Sequence, residues 1–272
     1  MKAMKNYLME VETIEGEIKV AVIGGGHIVK KLSSVLYNRK MACSVIPRAR
    51  DLDLSSTLEF IFLFNNNNES IPEAVLNFVE SIKSKLIIVS LDMICGDNLV
   101  KQCLEKDIDY CCASIYDLFD GSGSGSALEN IFLGVRKKKL ISFKNDQIII
   151  TPIFVDDAVE ALCRVAFATQ TYKKNFALTG KDEIPLVGFV QKVGVEAASS
   201  SGVLLKSEEH GEEYPESMAR HEKIIKRDES FSLLSWKPEI DLVQGIKLAL
   251  GSQLIEKEDP LPEVKKKMTL NP

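Results

Sequence analysis

The sequence predicts an α/β chain: a doubly wound parallel sheet followed by a smaller C-terminal α+β lobe. Three observations predict it. Short apolar runs alternate with stretches of helical spacing. Several of those runs are apolar on both faces, as strands covered by helices on either side must be. The first run ends in three glycines and passes straight into a helical pattern, a strand–turn–helix signal.

The elements follow in order. Ile18 to Ile23 is the first strand, Gly24-Gly25-Gly26 the turn, and Ile28, Leu32, Val35 and Leu36 mark the buried face of the next helix. Met41 to Ile46 reads as a second strand stopped by Pro47, and Leu58 to Phe64 as a third closed by the polar run Asn65 to Asn68. Ile71, Val75, Phe78, Val79 and Ile82 have helical spacing, and Pro72 suits a first turn. Leu86 to Ser90 is a buried strand, Leu99 to Glu105 a helix and Asp109 to Ile115 a strand. Gly121 to Ser126 reads Gly-Ser-Gly-Ser-Gly-Ser, the composition of a flexible linker, and its strict alternation matches an engineered loop replacement. A helix over Ala127 to Val135 ends in the basic cluster Arg136 to Lys139, which complements the helix dipole. Gln147 to Val155 is extended, and Asp156-Asp157 caps a helix over Ala158 to Ala168. The expected division is an N-terminal extension (1–16), a dinucleotide-binding-type core (17–150), a mixed segment completing the core and forming the small lobe (151–256), and a flexible tail (257–272).

Composition narrows the function classes. Of 272 residues, 45% are hydrophobic and 27% charged, which excludes a fibrous or wholly disordered chain. Thirty-four basic residues stand against 39 acidic ones, a net charge of −5, so a dedicated nucleic-acid binder is disfavoured. No long apolar run spans a membrane and Met1 to Glu15 has no apolar signal core, so the expectation is a cytoplasmic protein. Six cysteines and three histidines show no paired metal-ligand spacing; the cysteines read as reduced core thiols, and no metal site is expected.

The glycine turn is the physical setting for a dinucleotide pyrophosphate: glycines let backbone N–H groups approach the phosphates, and the helix N-terminus adds positive potential. Gly24, Gly25, Gly26, His27 and Ile28 are the candidate contacts. The Gly-x-Gly-x-x-Gly pattern would put a third glycine where Val29 stands, so a wider helix crossing or a shifted register is expected. No acidic residue tips the second strand. Arg48 and Arg50 follow Pro47 instead, and an arginine accommodates a ribose 2′-phosphate, which favours NADP over NAD.

Several stretches together resemble the extended short-chain dehydrogenase/reductase family, the nucleotide-sugar epimerases and dehydratases. Val22-Ile23-Gly24-Gly25-Gly26-His27-Ile28 is similar to that family's TGGxGFIG turn with one residue missing. Thr151 to Ala161 resembles its FIHVDDVAEA segment, with Phe154 where the family often has histidine. Phe176 to Gly180 resembles its YNLTG strand, and Leu233 to Pro238 followed by Leu242 to Ile246 its LGWKP…SLEEGL ending. The resemblance implies a Rossmann-like domain for NAD or NADP and a C-terminal lobe closing over a nucleotide sugar or another small molecule. Phe154, in the Thr151 to Ala161 segment, is a candidate substrate contact, and Arg220 and Arg227 are candidate diphosphate contacts, because guanidinium forks match phosphate oxygens.

The family's proton-moving pair is a tyrosine and a lysine one helical turn apart. None of the six tyrosines here is followed by lysine four residues later, so no Y-x-x-x-K exists. Ser90 ends its strand where the family's polarising serine lies, and the nearest match to the acid/base pair is Asp97 with Lys101; Ser90 and Lys101 are the catalytic candidates. An aspartate beside a lysine is a poor proton donor at neutral pH. Scaffold signals are therefore kept while acid/base signals are lost. The first reading is an NAD(P)-binding, epimerase/dehydratase-like protein with degenerate chemistry, acting as a sensor, regulator or subunit. The second is an active nucleotide-sugar enzyme with another proton donor. The third is an interaction scaffold that dispenses with a cofactor. A homodimer or a protein partner accompanies these readings.

Overall fold

The computed structural model describes residues 18–54, 57–65, 71–92, 97–123, 125–137, 142–143, 148–197, 206–207 and 220–256. The N-terminal extension and the tail lie outside the described residues, as does Ser124 of the Gly-Ser segment.

Strand β1 (Lys19–Ile23) leads into helix α1 (His27–Asn38), then β2 (Ala42–Ile46), β3 (Phe60–Phe64), α2 (Glu73–Ile82), β4 (Lys85–Leu91), α3 (Asp97–Glu105) and β5 (Tyr110–Ile115). Short strands β6 (Leu118–Phe119), β7 (Ser142–Phe143), β8 (Ile149–Ile150) and β9 (Ile153–Phe154) flank α4 (Ala127–Arg136) and precede α5 (Val155–Phe167). After these come β10 (Asn175–Leu178), β11 (Ile184–Pro185), α6 (Leu186–Glu196), β12 (Lys206–Ser207), α7 (Arg220–Leu233) and α8 (Leu242–Glu256).

The main sheet has six strands in the order β10-β5-β4-β3-β1-β2. Every pairing in it is parallel; Val20, for example, pairs with Cys43 of β2 and with Phe60 of β3. The chain moves outward from β1 to β2 and then returns past β1 to β3. The strand order therefore reverses between β1 and β3, which opens a crevice at the carboxyl ends of these strands.

Alternation along the strands supplies two cores. Val20, Val22, Phe62, Ile87 and Val89 face one side, where Ile28, Val29, Leu32 and Leu36 of α1 and Ala158, Leu162 and Val165 of α5 cover them. Ala21, Ile61, Leu63, Leu86 and Ile88 face the other side, under Val75, Leu76 and Val79 of α2 and Leu99 and Cys103 of α3. Val29 is only 1% exposed, so the residue standing where a third glycine was sought packs between α1 and the sheet. Strand β10 continues the sheet beyond β5, and α7 packs on it. Trp236 is buried and meets the Phe231 ring edge-on, the core anchor of the segment after α7.

Two expectations change. Helix α5 begins at Val155, so Asp156 and Asp157 lie inside its first turn and do not cap it. The Asp157 carboxylate accepts instead from the backbone N–H groups of Glu239 and Ile240, tying the segment before α8 to the helix. Nor is the Gly-Ser segment a linker. Gly121, Gly123 and Gly125 all hold positive φ, at 81°, 89° and 87°. This alternation turns successive N–H groups inward, a conformation that only glycine adopts at low cost.

One buried charge joins the layers. Lys85, 4% exposed, donates from Nζ to the carbonyls of Val165, Ala166 and Ala168 and to Thr171 Oγ1, closing the C-terminus of α5. Burial pushes its pKa below the usual lysine value, while Cys111 and Asp109 pull weakly the other way. Lys85→Met should lower stability by about 2–4 kcal/mol, because the carbonyls lose their donor in a dry site. Urea unfolding measures this, and a midpoint unchanged from wild type would refute the role. Among the described residues no helix is long and apolar enough to cross a membrane.

Candidate functional site

The crevice at the strand ends is built on the glycine turn. Gly24 has φ 139°, and a Cβ there would stand 2.8 Å from the Cβ of Phe64, so this position requires glycine. Its N–H donates to Ile46 O at 2.9 Å, which fixes the turn to the end of β2. Gly26, at φ 97°, is the N-cap of α1; no side chain caps the helix and no acidic residue lies in its first turn. Gly25 and Gly26 are exposed, and a Cβ on either would meet nothing within 4 Å. The result is an open cradle of backbone amides at a positive helix end, a fit for phosphate oxygens.

A cavity of about 360 Å³ adjoins the turn on the α2 side. Gly24, Arg48, Arg50, Asn65, Ile71 and Pro72 line it. Arg48 and Arg50 come from the segment after β2, Asn65 from the tip of β3 and Ile71-Pro72 from the approach to α2. The switch in strand order thus brings two guanidinium groups, an amide and apolar walls together beside one glycine turn. Five of the predicted cofactor contacts (Gly24, Gly25, Gly26, His27 and Ile28) form the turn and first turn of α1, and Arg48 joins Gly24 in the cavity wall. Ile28 contributes backbone only, since its side chain is in the core at 1% exposure.

On the other side of the turn His27 reaches across to the loop after β6. Its Nδ1 lies 2.6 Å from Asp120 Oδ2; the imidazole is 27% exposed and the aspartate side chain fully buried. Ser122 donates to Asp120 Oδ1 from both its N–H, at 2.7 Å, and its hydroxyl, at 2.6 Å. Burial alone would raise the Asp120 pKa, but the bonds from His27 and Ser122 outweigh it and the carboxyl sits below its ordinary 3.8. A depressed folded pKa means stability that is present above 3.8 and lost as pH falls through the folded value. Asp120→Asn should therefore cost about 1–3 kcal/mol near neutrality and progressively less below that pH. Urea midpoints of both proteins across the acid range check this; a pH-independent difference would contradict it.

The same loop wraps a second carboxylate. The N–H groups of Asp120 and Gly121 donate to Glu129 Oε2, and that of Gly123 to Oε1, at 2.8, 3.1 and 3.0 Å. Ser126 caps α4 by accepting from the Glu129 N–H. Burial holds the Glu129 pKa above its ordinary 4.5 even so.

At the carboxyl ends of β4 and β5 the structure is tied up by further carboxylates. Asp92, at φ 54°, accepts from the N–H groups of Asp117 and Ala127. Asp117 accepts from the N–H and hydroxyl of Thr151. Ser90 and Ser114 are buried, with their hydroxyls 3.2 Å apart.

The catalytic candidates are not brought together. Ser90 lies under the sheet end with Ser114, whereas Lys101 is on the outer face of α3 with its side chain 75% exposed, 3.8 Å from Glu105. Phe154 is 6% exposed and packs edge-on against Phe119 in the core. Arg220 opens α7, but its side chain lies outside the described residues. Sequence reading missed Asp92, Asp117, Asp120 and Glu129. The Asp120-Gly121 dipeptide is a turn signal that points to the first loop carboxylate, and nothing in spacing points to the others.

A strand-order switch, a glycine turn at a bare helix N-terminus and a cavity lined by two arginines define the class: a doubly wound α/β fold with an open crevice at the switch. Solved structures agree on the fold. UDP-glucose 4-epimerase from Thermotoga maritima, solved with UDP-glucose, is 13% identical with a TM-score of 0.67, over 89% of this chain and 100% of that one. UDP-glucuronic acid 4-epimerase from Bacillus cereus, a tyrosine-to-phenylalanine mutant with NAD and a fluorinated UDP-sugar, is 12% identical with a TM-score of 0.70, over 87% and 100%. dTDP-glucose 4,6-dehydratase from Bacillus anthracis, with NAD, is 11% identical with a TM-score of 0.65, over 89% and 97%. No protein-family model and no curated protein matches the sequence.

Proposed function

We propose that this chain binds a nicotinamide dinucleotide, NADP in preference to NAD, as an epimerase/dehydratase-like protein whose proton-transfer machinery is degenerate, and that it serves as a sensor, regulator or subunit. The observation that carries the reading is the open cradle at Gly25-Gly26, set beside a cavity holding Arg48 and Arg50. A bound nicotinamide would supply a hydride acceptor or donor. The chain offers no Y-x-x-x-K pair to move the accompanying proton, and Ser90 is buried against Ser114. The similar structures that were solved with NAD and UDP-sugars support the choice of ligand class. The reading keeps a nucleotide sugar as the associated small molecule, a cytoplasmic location, and self-association or a protein partner.

Fluorescence titration with NADPH and NADH tests it. Saturable binding is expected, tighter for NADPH, with no hydride exchange across a panel of nucleotide sugars. Failure of both cofactors to bind at millimolar concentration would leave only the scaffold reading. A second reading, an active enzyme, has one observation in its favour: His27 held by the buried Asp120 has the base–orienter arrangement of a proton carrier. Turnover of any panel member that is abolished by His27→Gln would establish it.

A further inference from the structure

The crevice is asymmetric about the glycine turn. On the α2 side, Gly24 opens onto the cavity with Arg48, Arg50, Asn65, Ile71 and Pro72. Its volume of about 360 Å³ is at the small end for ligand pockets. The walls combine apolar side chains, suited to the flat face of a base, with two guanidinium groups suited to phosphate oxygens. Arg48 and Arg50 are both exposed, and Arg50 Nε lies 3.9 Å from Asp51 Oδ1, an ion pair long enough to yield to a phosphate. On the opposite side, the first residue of α1 is already engaged. His27 is bonded to Asp120, which Ser122 holds in turn, so the imidazole bridges from the turn to the loop after β6. Among the described residues, polar groups at the ends of β4 and β5 pair within the chain: Ser90 with Ser114, Asp92 with the Asp117 and Ala127 amides, and Asp117 with Thr151.

We propose that the site takes a phosphorylated nucleoside as its whole ligand, with a base in the cavity, a 5′-phosphate on the Gly25-Gly26 amides and a ribose phosphate at Arg48 and Arg50. This rests on the dinucleotide reading above and narrows it: the half of a dinucleotide beyond the pyrophosphate meets the His27–Asp120 bridge and adds nothing to affinity. Among the described residues, the side chains of Ser90, Asp92 and Asp117 at the ends of β4 and β5 are already paired within the chain. Displacing them would cost about as much as the new contacts return.

Calorimetric titration of the full chain with NADP⁺, adenosine 2′,5′-bisphosphate, 5′-AMP, nicotinamide mononucleotide and UDP decides it. The bisphosphate should bind within about threefold of NADP⁺, a difference under 1 kcal/mol, and nicotinamide mononucleotide should not bind. NADP⁺ tighter than the bisphosphate by about tenfold or more would overturn this inference and leave the dinucleotide reading standing. UDP binding more tightly than the bisphosphate would also overturn it, by assigning the cavity to a pyrimidine nucleotide. Failure of every adenine compound to bind would sink both. The double variant Arg48→Ala, Arg50→Ala provides an independent check, because both side chains are on the surface and the fold does not depend on them. It should weaken NADP⁺ and the bisphosphate by the same factor, about tenfold or more, and 5′-AMP less. A loss confined to NADP⁺ would refute the proposal.

Discussion

Gly121→Ala is expected to destabilise the protein by about 3 kcal/mol or more, a large share of the total stability of a typical domain. Two effects add. The native φ of 81° lies in the left-handed region, where a Cβ costs about 1–2 kcal/mol. A Cβ there would also stand 2.2 Å from the carbonyl oxygen of Ala249 in α8, so backbone must move, at a further cost of about 1–3 kcal/mol. Gly125→Ala is the control. Its φ of 87° is equally strained, but a Cβ there meets nothing within 4 Å, so only the conformational cost of about 1–2 kcal/mol applies. Urea unfolding of both variants separates the two terms. If both were silent, the segment would be the linker its composition suggests.

That contrast shows where composition stops being informative. A Gly-Ser alternation is read as flexible because neither residue buries apolar area. Here the glycines serve backbone geometry: Gly121 and Gly123, both at positive φ, donate with Asp120 to the Glu129 carboxylate, while Ser122 and Ser126 hold Asp120 and the start of α4. Glu129 looks like an ordinary first-turn acid in sequence, and only the folded loop shows it as the centre of a nest. The sheet was more legible. Strand interiors from Val20 to Ile115 are apolar in continuous runs, a pattern that calls for helices on both faces and for parallel neighbours. Burial decided those residues one by one, and burial is what hydrophobic patterning records. The glycine turn was legible because φ above zero narrows the choice of residue. The carboxylates at the ends of β4 and β5 were not, since Asp92 and Asp117 find their partners through chain crossings 25 to 35 residues apart.

Gly25→Glu should weaken dinucleotide binding by about 100- to 200-fold while leaving the fold intact or slightly more stable. The two directions follow from one electrostatic fact. The N-terminus of α1 is a concentration of positive potential with no acidic neighbour in its first turn. A carboxylate placed there interacts favourably with the helix, worth about 0.3–1 kcal/mol of stability. Gly25 has open space around a new Cβ, so no steric cost offsets the gain. The same carboxylate competes for the amides a phosphate would use and repels it directly. Each lost charge-assisted contact is worth about 1.5 kcal/mol, and two of them account for the expected loss in affinity. Measuring the urea midpoint and the NADPH affinity on one preparation separates this site from a general defect in folding. A variant that unfolds early would show only damage, and one that binds NADPH as wild type does would remove the phosphate from this turn. A more stable protein that no longer binds is the combination that only an anion site at Gly25 produces.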